Sequence, residues 1–206
     1  MARKTKEEAQ QTRLQLLEAA ERLFSERGVA HTTLNDIATH AGLTRGAIYW
    51  HFQNKTDLIH ALWDQVALPL HESFAELEQS IPDDPLARIQ IKSTTVLTQV
   101  VKDVRIRNLL SILLLKCEYV DEPGGLRDGY LLKRCDCVSK ITGEFRLAIA
   151  QGQLPADLDE KFAAIGLMSV IDGLCFHWLM NPAMFSLEDH AQKYIATYLK
   201  GLAVSN

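Results

Sequence analysis

The sequence predicts an all-α protein, with a small amino-terminal three-helix module followed by a larger helical domain. Two observations carry this. Apolar residues recur at the 3.6-residue helical spacing in nearly every segment, and no segment shows convincing strand alternation. The chain of 206 residues also holds only 6 prolines and 11 glycines, which leaves long stretches free to be helical. Its hydrophobic content of 47% with 23% charged residues is enough to build a core and excludes a disordered chain.

The elements follow in order. A first helix is expected over residues 7–27, with Leu16, Leu17, Ala20, Leu23 and Phe24 facing inward and Gly28 ending it. Thr33 fits the N-cap of a short helix over 34–41, whose inward residues are Leu34, Ile37, Ala38 and Ala41. Gly42 makes a turn, and Thr44 caps a second short helix running through Phe52. Asn54 breaks that helix, and another begins at Lys55 and extends to about residue 71. Pro82 and Pro85, with two aspartates between them, mark the next turn; Pro85 suits a first helical turn and Asp84 its positive end.

Five longer helices are expected beyond it, over 86–102, 104–119, 126–151, 159–180 and 187–202. Breaks at Pro123-Gly124-Gly125, at 152–155 and at Asn181-Pro182 separate them. In the helix over 126–151, Leu131, Cys135, Val138, Thr142, Phe145 and Ile149 alternate spacings of four and three, which predicts one buried stripe. No internal repeat or low-complexity tract is present. The chain divides into residues 1–55, whose closing helix over about 55–71 leads onward, and residues 72–206. Because that boundary lies within or just after a helix, the two parts are expected to be coupled rather than tethered.

The net charge of −4 is unevenly spread: residues 1–55 carry +2 and the remainder −6. A mildly basic head on an acidic body suits a protein that meets phosphates with its head alone. The start, MARKTKEEAQQTR, has no apolar core of a signal peptide, and the longest apolar run, residues 109–115, is too short to span a bilayer. A cytoplasmic protein without a membrane partner is expected. Cys117, Cys135, Cys137 and Cys175 show no CxxC pairing, and Cys135 and Cys137 point to opposite sides of a helix. They read as buried reduced thiols, with no metal or cofactor. No P-loop, GxSxG or HExxH motif points to an enzyme.

Residues 33–52 form two short helices joined by a glycine turn, the pattern of a helix-turn-helix. In such a unit the first helix braces the second, whose outward side chains reach base edges. Ile37, Ala38, Leu43, Ile48 and Phe52 supply the bracing face, and Gly42 the tight turn. Thr44, Arg45, Tyr49, Trp50 and His51 supply hydrogen-bonding side chains, while Gly46 and Ala47 keep the helix slim enough for the major groove. Two ordinary amphipathic helices with a glycine between them share this spacing, so the spacing alone leaves both readings open.

The string TLNDIATHAGLTRGAIYWHFQNKTDL closely resembles the signature of the TetR family, above all in IYWHFxNKxxL. MARKTKEEAQQTR, AAERLFSERGV, LLLKCEY and QGQLPADLD resemble its AcrR/TtgR branch, repressors of multidrug efflux pumps. The close match covers residues 1–65, and the remainder is similar in length with scattered local matches. The resemblance implies a helix-turn-helix DNA-binding domain, a carboxy-terminal ligand-binding and dimerisation domain, and a double-stranded operator as partner. It implies that Thr33 caps its helix and holds a phosphate, with Asn35 near a base or the backbone. Arg45 would read guanine bidentately. Thr44, Gly46 and Ala47 would approach bases or thymine methyls, and Tyr49, Trp50 and His51 the backbone or flanking bases. Lys55 would set its charge and the start of its helix against a phosphate, and Lys4 and Lys6 would add nonspecific contacts. Trp50 has a packing role as its alternative.

For the larger domain, the resemblance implies a homodimer through the last two helices. Ala163, Ala164, Gly166 and Gly173 would permit close approach, beside an apolar stripe of Leu187, Ala191, Tyr194, Ile195, Tyr198 and Leu202. A single short recognition helix reads few base pairs, and two-fold pairing doubles the site. A pocket for a small apolar or amphipathic effector is expected among the central helices. Its candidate lining is Leu97, Val100, Leu110, Leu113, Leu114, Cys137, Ile141, Phe145, Met168, Asp172 and Phe176. Asp172 interrupts an apolar run and needs a partner, either an arginine in a salt bridge or a ligand. His177 reads as a satisfied interface histidine. The leucine-rich run 109–115 departs from the polar or imidazole residues of related chains, which implies a greasier cavity. The function expected is a ligand-released repressor of an efflux operon. Its alternatives are a repressor of a metabolic or catabolic operon and, from another class, a sequence-independent nucleoid protein.

Overall fold

The computed structural model describes residues 6–119 and 125–203. Among the described residues the chain is helical without strands: α1 (Lys6–Arg27), α2 (Leu34–His40), α3 (Arg45–His51), α4 (Lys55–Ser80), α5 (Pro85–Lys102), α6 (Val104–Leu115), α7 (Leu126–Ala150), α8 (Glu160–Met180) and α9 (Leu187–Leu202). Arg3 and Lys4, and the expected break at Pro123 and Gly124, lie outside the described residues.

Three elements differ from the sequence expectation. The helix expected to end at residue 71 continues to Ser80, with Pro69 inside it. An interior proline costs a helix about 3 kcal/mol, but 72–80 are mostly good helix formers, and the next strong stop is Pro82. α6 stops at Leu115 rather than at 119. In α7 the expected stripe holds in its second half, with Phe145 buried and Val138, Thr142 and Ile149 half-buried, whereas Leu131 and Cys135 are exposed; Ala148 is buried beside it. The thiols differ accordingly. Cys175 is buried, Cys117 and Cys137 are half-buried and Cys135 is exposed, all four unbonded. Burial pushes the thiols of Cys117 and Cys175 up to about 12, so both stay protonated and inert at neutral pH.

The chain forms two compact units, each discontinuous in sequence. The first, the headpiece, comprises Met1–Ala67 with Asn108–Tyr130; the second, the body, comprises Leu68–Arg107 with Leu131–Asn206. The headpiece core gathers Leu16, Leu17, Leu23 and Phe24 of α1 with Ile37 of α2, Ile48 of α3, and Leu58 and Leu62 of α4. Leu109, Ile112 and Leu113 of α6 complete it. Each such side chain contributes about 1.5–3 kcal/mol when removed from water, so α6 is a substantial part of this core. Asn108 adds a hydrogen bond to Glu21 at 2.7 Å.

In the body, α5 packs on α8 and α9. Arg107, at the body's end of its first segment, donates to Val101 O and, at 3.2 Å, to Val100 O, which caps the end of α5; its guanidinium lies 5.6 Å from the Trp178 ring centre. A buried ion network ties three helices together. Arg88 is only 5% exposed, and it donates to Ile81 O and Pro82 O in the α4–α5 turn and to Glu144 of α7 at 2.8 Å. Lys92 bonds the other Glu144 oxygen at 2.7 Å and reaches Glu78 of α4 at 2.5 Å. Burial alone would raise the Glu144 carboxyl, but hydrogen bonds from Arg88 and then Lys92 outweigh it and hold the group below its ordinary value.

Replacing Glu144 with leucine leaves Arg88 and Lys92 buried without their shared anion. The expected cost is about 3–5 kcal/mol of unfolding free energy in urea titrations; a loss below about 1 kcal/mol would show that the network is dispensable. Because the folded-state carboxyl titrates below its unfolded value, its stabilisation is complete above about pH 5 and disappears as the pH falls through the folded value. The difference between Glu144→Gln and the parent protein should therefore shrink on acidification below that point.

Candidate nucleic-acid interface

The helix-turn-helix is assembled by caps at each joint. Thr33 opens α2 with a reciprocal capping box: its hydroxyl accepts from Asp36 N at 3.1 Å, while the Asp36 carboxylate accepts from Thr33 N at 2.9 Å. The same hydroxyl donates to Asp36 at 2.6 Å, which holds the Asp36 carboxyl below its usual range. At the other end, Leu43 N bonds Ala38 O and Gly42 N bonds Thr39 O, the paired bonds of a Schellman turn. Gly42 sits at φ +67, a conformation that L side chains rarely adopt. Thr44 then caps α3 by accepting from Ala47 N at 3.2 Å.

These joints leave α3 with one inward anchor, Ile48, which is fully buried, and a buried Phe52 just beyond its end. Arg13 of α1 lies 5.2 Å from the Phe52 ring centre and covers it. The opposite face is open. Thr44, Arg45, Gly46, Tyr49 and Trp50 are exposed, and Ala47 and His51 partly so. Trp50 is 74% exposed, which removes the packing alternative for its ring; its nearest aromatic neighbour is His51, edge-on at 4.5 Å. The Arg45 guanidinium lies 5.4 Å from the Tyr49 ring centre, one turn away on the same face. No carboxylate lies on α3. A slim, acid-free helix carrying a planar cation, a phenol, an indole and an imidazole is equipped to donate to base edges and phosphates.

Of the remaining candidates, Thr33 and Asn35 are exposed on α2, although the Thr33 hydroxyl is already engaged with Asp36. Lys55 is half-buried, and its ammonium bonds Val29 O at 2.7 Å. Two contributors escaped the sequence reading, Asp36 and Arg13. The Thr–x–x–Asp spacing of a capping box was legible; Arg13 over Phe52 is a contact across 39 residues with no local signature.

The candidate ligand residues fall in both units. Leu97, Val100 and Phe145 are completely buried in the body, Met168 is buried, Cys137, Ile141 and Asp172 are half-buried and Phe176 is exposed. Leu113 lies in the headpiece core, with Leu110 and Leu114 half-buried on the same helix. Asp172 pairs with Arg134 of α7, whose two terminal nitrogens each bond one carboxylate oxygen. Burial pushes the Asp172 carboxyl up, and Arg134 only partly offsets this. A surface cavity of about 450 Å³ on the body is lined by Val170, His190, Lys193, Tyr194, Thr197 and Tyr198, none of them a candidate ligand residue.

The turn carries a simple test. A Cβ at Gly42 would meet nothing within 4 Å, so Gly42→Ala should register backbone strain alone. The expected cost is about 1–2 kcal/mol of headpiece stability by urea titration. An unchanged midpoint would mean that the left-handed turn is not required.

Comparison with known proteins agrees with this architecture. The family model described as "Bacterial regulatory proteins, tetR family" matches residues 16–62, and "MAATS-type transcriptional repressor, C-terminal region" matches residues 84–204. The HTH-type transcriptional regulator TtgR of Pseudomonas putida is 42% identical over 206 residues, covering 100% of this chain and 98% of that protein. The crystal structure of NalD, the secondary repressor of the MexAB-OprM multidrug efflux pump in Pseudomonas aeruginosa, superposes with a TM-score of 0.82 at 31% identity, covering 98% of this chain and 100% of that one. The SmeT–triclosan complex, SmeT being the repressor of the Stenotrophomonas maltophilia pump SmeDEF, superposes with a TM-score of 0.83 at 28% identity, covering 95% and 93%. The chain belongs to the tetR family of bacterial regulatory proteins, with the carboxy-terminal region of a MAATS-type transcriptional repressor.

Proposed function

We propose that this regulator binds a palindromic operator as a homodimer, represses a multidrug efflux operon, and is released by amphipathic aromatic molecules. The observation that carries the DNA assignment is the exposed, acid-free face of α3, with Arg45 and Trp50 turned outward from a core-anchored helix. Arg45 reads guanine; Thr44, Gly46 and Ala47 approach bases; Tyr49, Trp50 and His51 meet backbone or flanking bases; Thr33 and Asn35 flank them from α2. The efflux assignment is supported by TtgR, NalD and SmeT, two of which are named as repressors of multidrug pumps.

The dimer assignment is supported by α8, which is apolar on two faces. Its buried face includes Ala163, Ala164, Leu167, Ile171 and Cys175, so Ala163 and Ala164, expected at a dimer contact, serve packing within the chain, whereas a Cβ at Gly173 would meet nothing within 4 Å. Like the two alanines, Gly166 serves packing within the chain, beneath the Tyr198 hydroxyl, which donates to Ala163 O at 2.8 Å. The outward face carries Phe162 at 66% exposure and Met180 at 62%, with Ile165 and Phe176 between them. A helix apolar all round needs cover on both sides, and a second copy supplies it with two-fold symmetry. His177, also exposed, lies on this side.

The effector assignment is supported by the SmeT–triclosan complex and by the half-buried Cys137, Ile141 and Asp172 of the body. A ligand that favours one body conformation weakens DNA binding by the factor by which DNA weakens ligand binding.

Arg45→Ala should weaken binding to a duplex selected by the full-length protein from a randomised pool by about 1–3 kcal/mol, with binding to a scrambled duplex little changed. Equal losses on both would reduce Arg45 to a phosphate contact. The protein should sediment as a dimer and footprint two half-sites about one DNA turn apart or slightly more; a monomer on one asymmetric half-site would refute the assembly. Calorimetry with triclosan, with and without the selected duplex, tests coupling: about 1–3 kcal/mol of mutual weakening is expected, and none would remove the sensor assignment.

A further inference from the structure

The first turn of α7 belongs to the headpiece, and the rest of the helix to the body. That turn docks through one helical face, at positions 126, 129 and 130. Leu126 and Tyr130 pack against the headpiece core, and the Tyr130 ring lies 5.1 Å from that of Tyr119. Between them Gly129 meets His60 of α4. A Cβ at Gly129 would overlap His60 Nε2 and lie 2.6 Å from Cε1. The imidazole thus fills the space that any side chain at 129 would need. Its Nε2 is buried without a hydrogen-bond partner among the described residues. Packing holds this contact together while a desolvated polar atom works against it. Separating the ring from the helix returns that nitrogen to water, which brings the docked and separated states closer in free energy.

Both helices lead away from the contact toward sites of proposed function. On α4, Asp57 lies one turn before His60 and accepts from Gln53 N at 2.9 Å, two residues past the end of α3. On α7, the half-buried Cys137 and Ile141 are candidate effector contacts, and Cys137 is about 12 Å along the helix from Gly129. We propose that the His60–Gly129 contact is a relay. A bound effector shifts α7, the shift seats or unseats its first turn against His60, and α4 passes the change to the end of α3. This rests on the assignments of α3 as the DNA-reading helix and of the body as the sensor.

The experiment measures triclosan affinity by calorimetry, with and without the selected duplex, for full-length parent protein, Gly129→Ala and His60→Ala. Gly129→Ala forces the ring out of the contact. His60→Ala removes the ring without a clash, and so decides the matter even where Gly129→Ala does not fold. In the parent the duplex should weaken triclosan binding about fivefold or more, and in each variant by less than about twofold, with the free proteins binding triclosan alike. A coupled parent with equally coupled variants overturns the relay alone; an uncoupled parent overturns the sensor assignment and the relay with it. A second measurement reads the contact directly, through carbethoxylation of His60 by diethyl pyrocarbonate in the parent protein, located by mass spectrometry. The duplex and triclosan should shift its rate in opposite directions, because they favour opposite states of one element. A rate that ignores either, or that both shift the same way, overturns the relay.

Discussion

A helix of seven residues has no stability of its own in water, because nucleation costs more than so few hydrogen bonds return. α3 is such a helix, and everything it presents depends on what restrains it. Ile48 supplies the buried anchor, Thr44 satisfies the amino-terminal end, and the Gly42 turn sets the direction of approach from α2. Beyond its last residue, Phe52 enters the core beneath Arg13. The geometry of Arg45, Tyr49 and Trp50 is thus decided by the buried Ile48 and Phe52 together with the Thr44 cap and the Gly42 turn. A core change can alter which sequence is read without touching a reading residue.

The body is held by a different kind of constraint. Arg88, Glu144 and Lys92 place two cations and one anion where little water reaches, and the Arg88 guanidinium also satisfies two carbonyls of the α4–α5 turn. Such a network is seldom the most stable solution, since apolar side chains of the same volume often do as well. It does tie α5 to both neighbours, because the Lys92 ammonium reaches carboxylates of α4 and α7 at once. The apolar outer face of α8 raises the opposite problem, surface without cover, which the proposed dimer resolves.

Local chemistry was legible in the sequence, and long-range chemistry was not. The caps at Thr33 and Thr44 could be read directly, because a cap acts within three residues of itself, and Asp84, placed at the positive end of α5, proves to cap it. The exposed face of α3 followed from the periodicity once Ile48 was placed inward. The helix over 55–71 was ended nine residues early, although 72–80 hold mostly good helix formers and the next strong stop is Pro82. The run 109–115 was read as cavity lining; its composition says only that it is buried, and the core it joins lies some 50 to 90 residues away in sequence. The α7 stripe held from Val138 onward and failed at Leu131 and Cys135, because spacing alone does not say how far along a helix its neighbours extend. Asp172 is the intermediate case: the need for a partner was evident, but not its identity as Arg134.

The discontinuity of the headpiece has a consequence for how the protein is made. Its core cannot close around residues 1–67 alone, since Leu109, Ile112 and Leu113 fill part of it and Lys116 O holds Val29. On the ribosome, the amino-terminal helices emerge first but must wait for α6 to follow. The first body segment, residues 68–107, emerges in the interval and is itself incomplete until α7 to α9 arrive. Each unit thus brackets part of the other in the order of synthesis. Chain growth from the amino terminus normally lets an early domain fold by itself; here the headpiece can close only after the first body segment and then Asn108–Tyr130 have emerged, and the body only with the residues that follow.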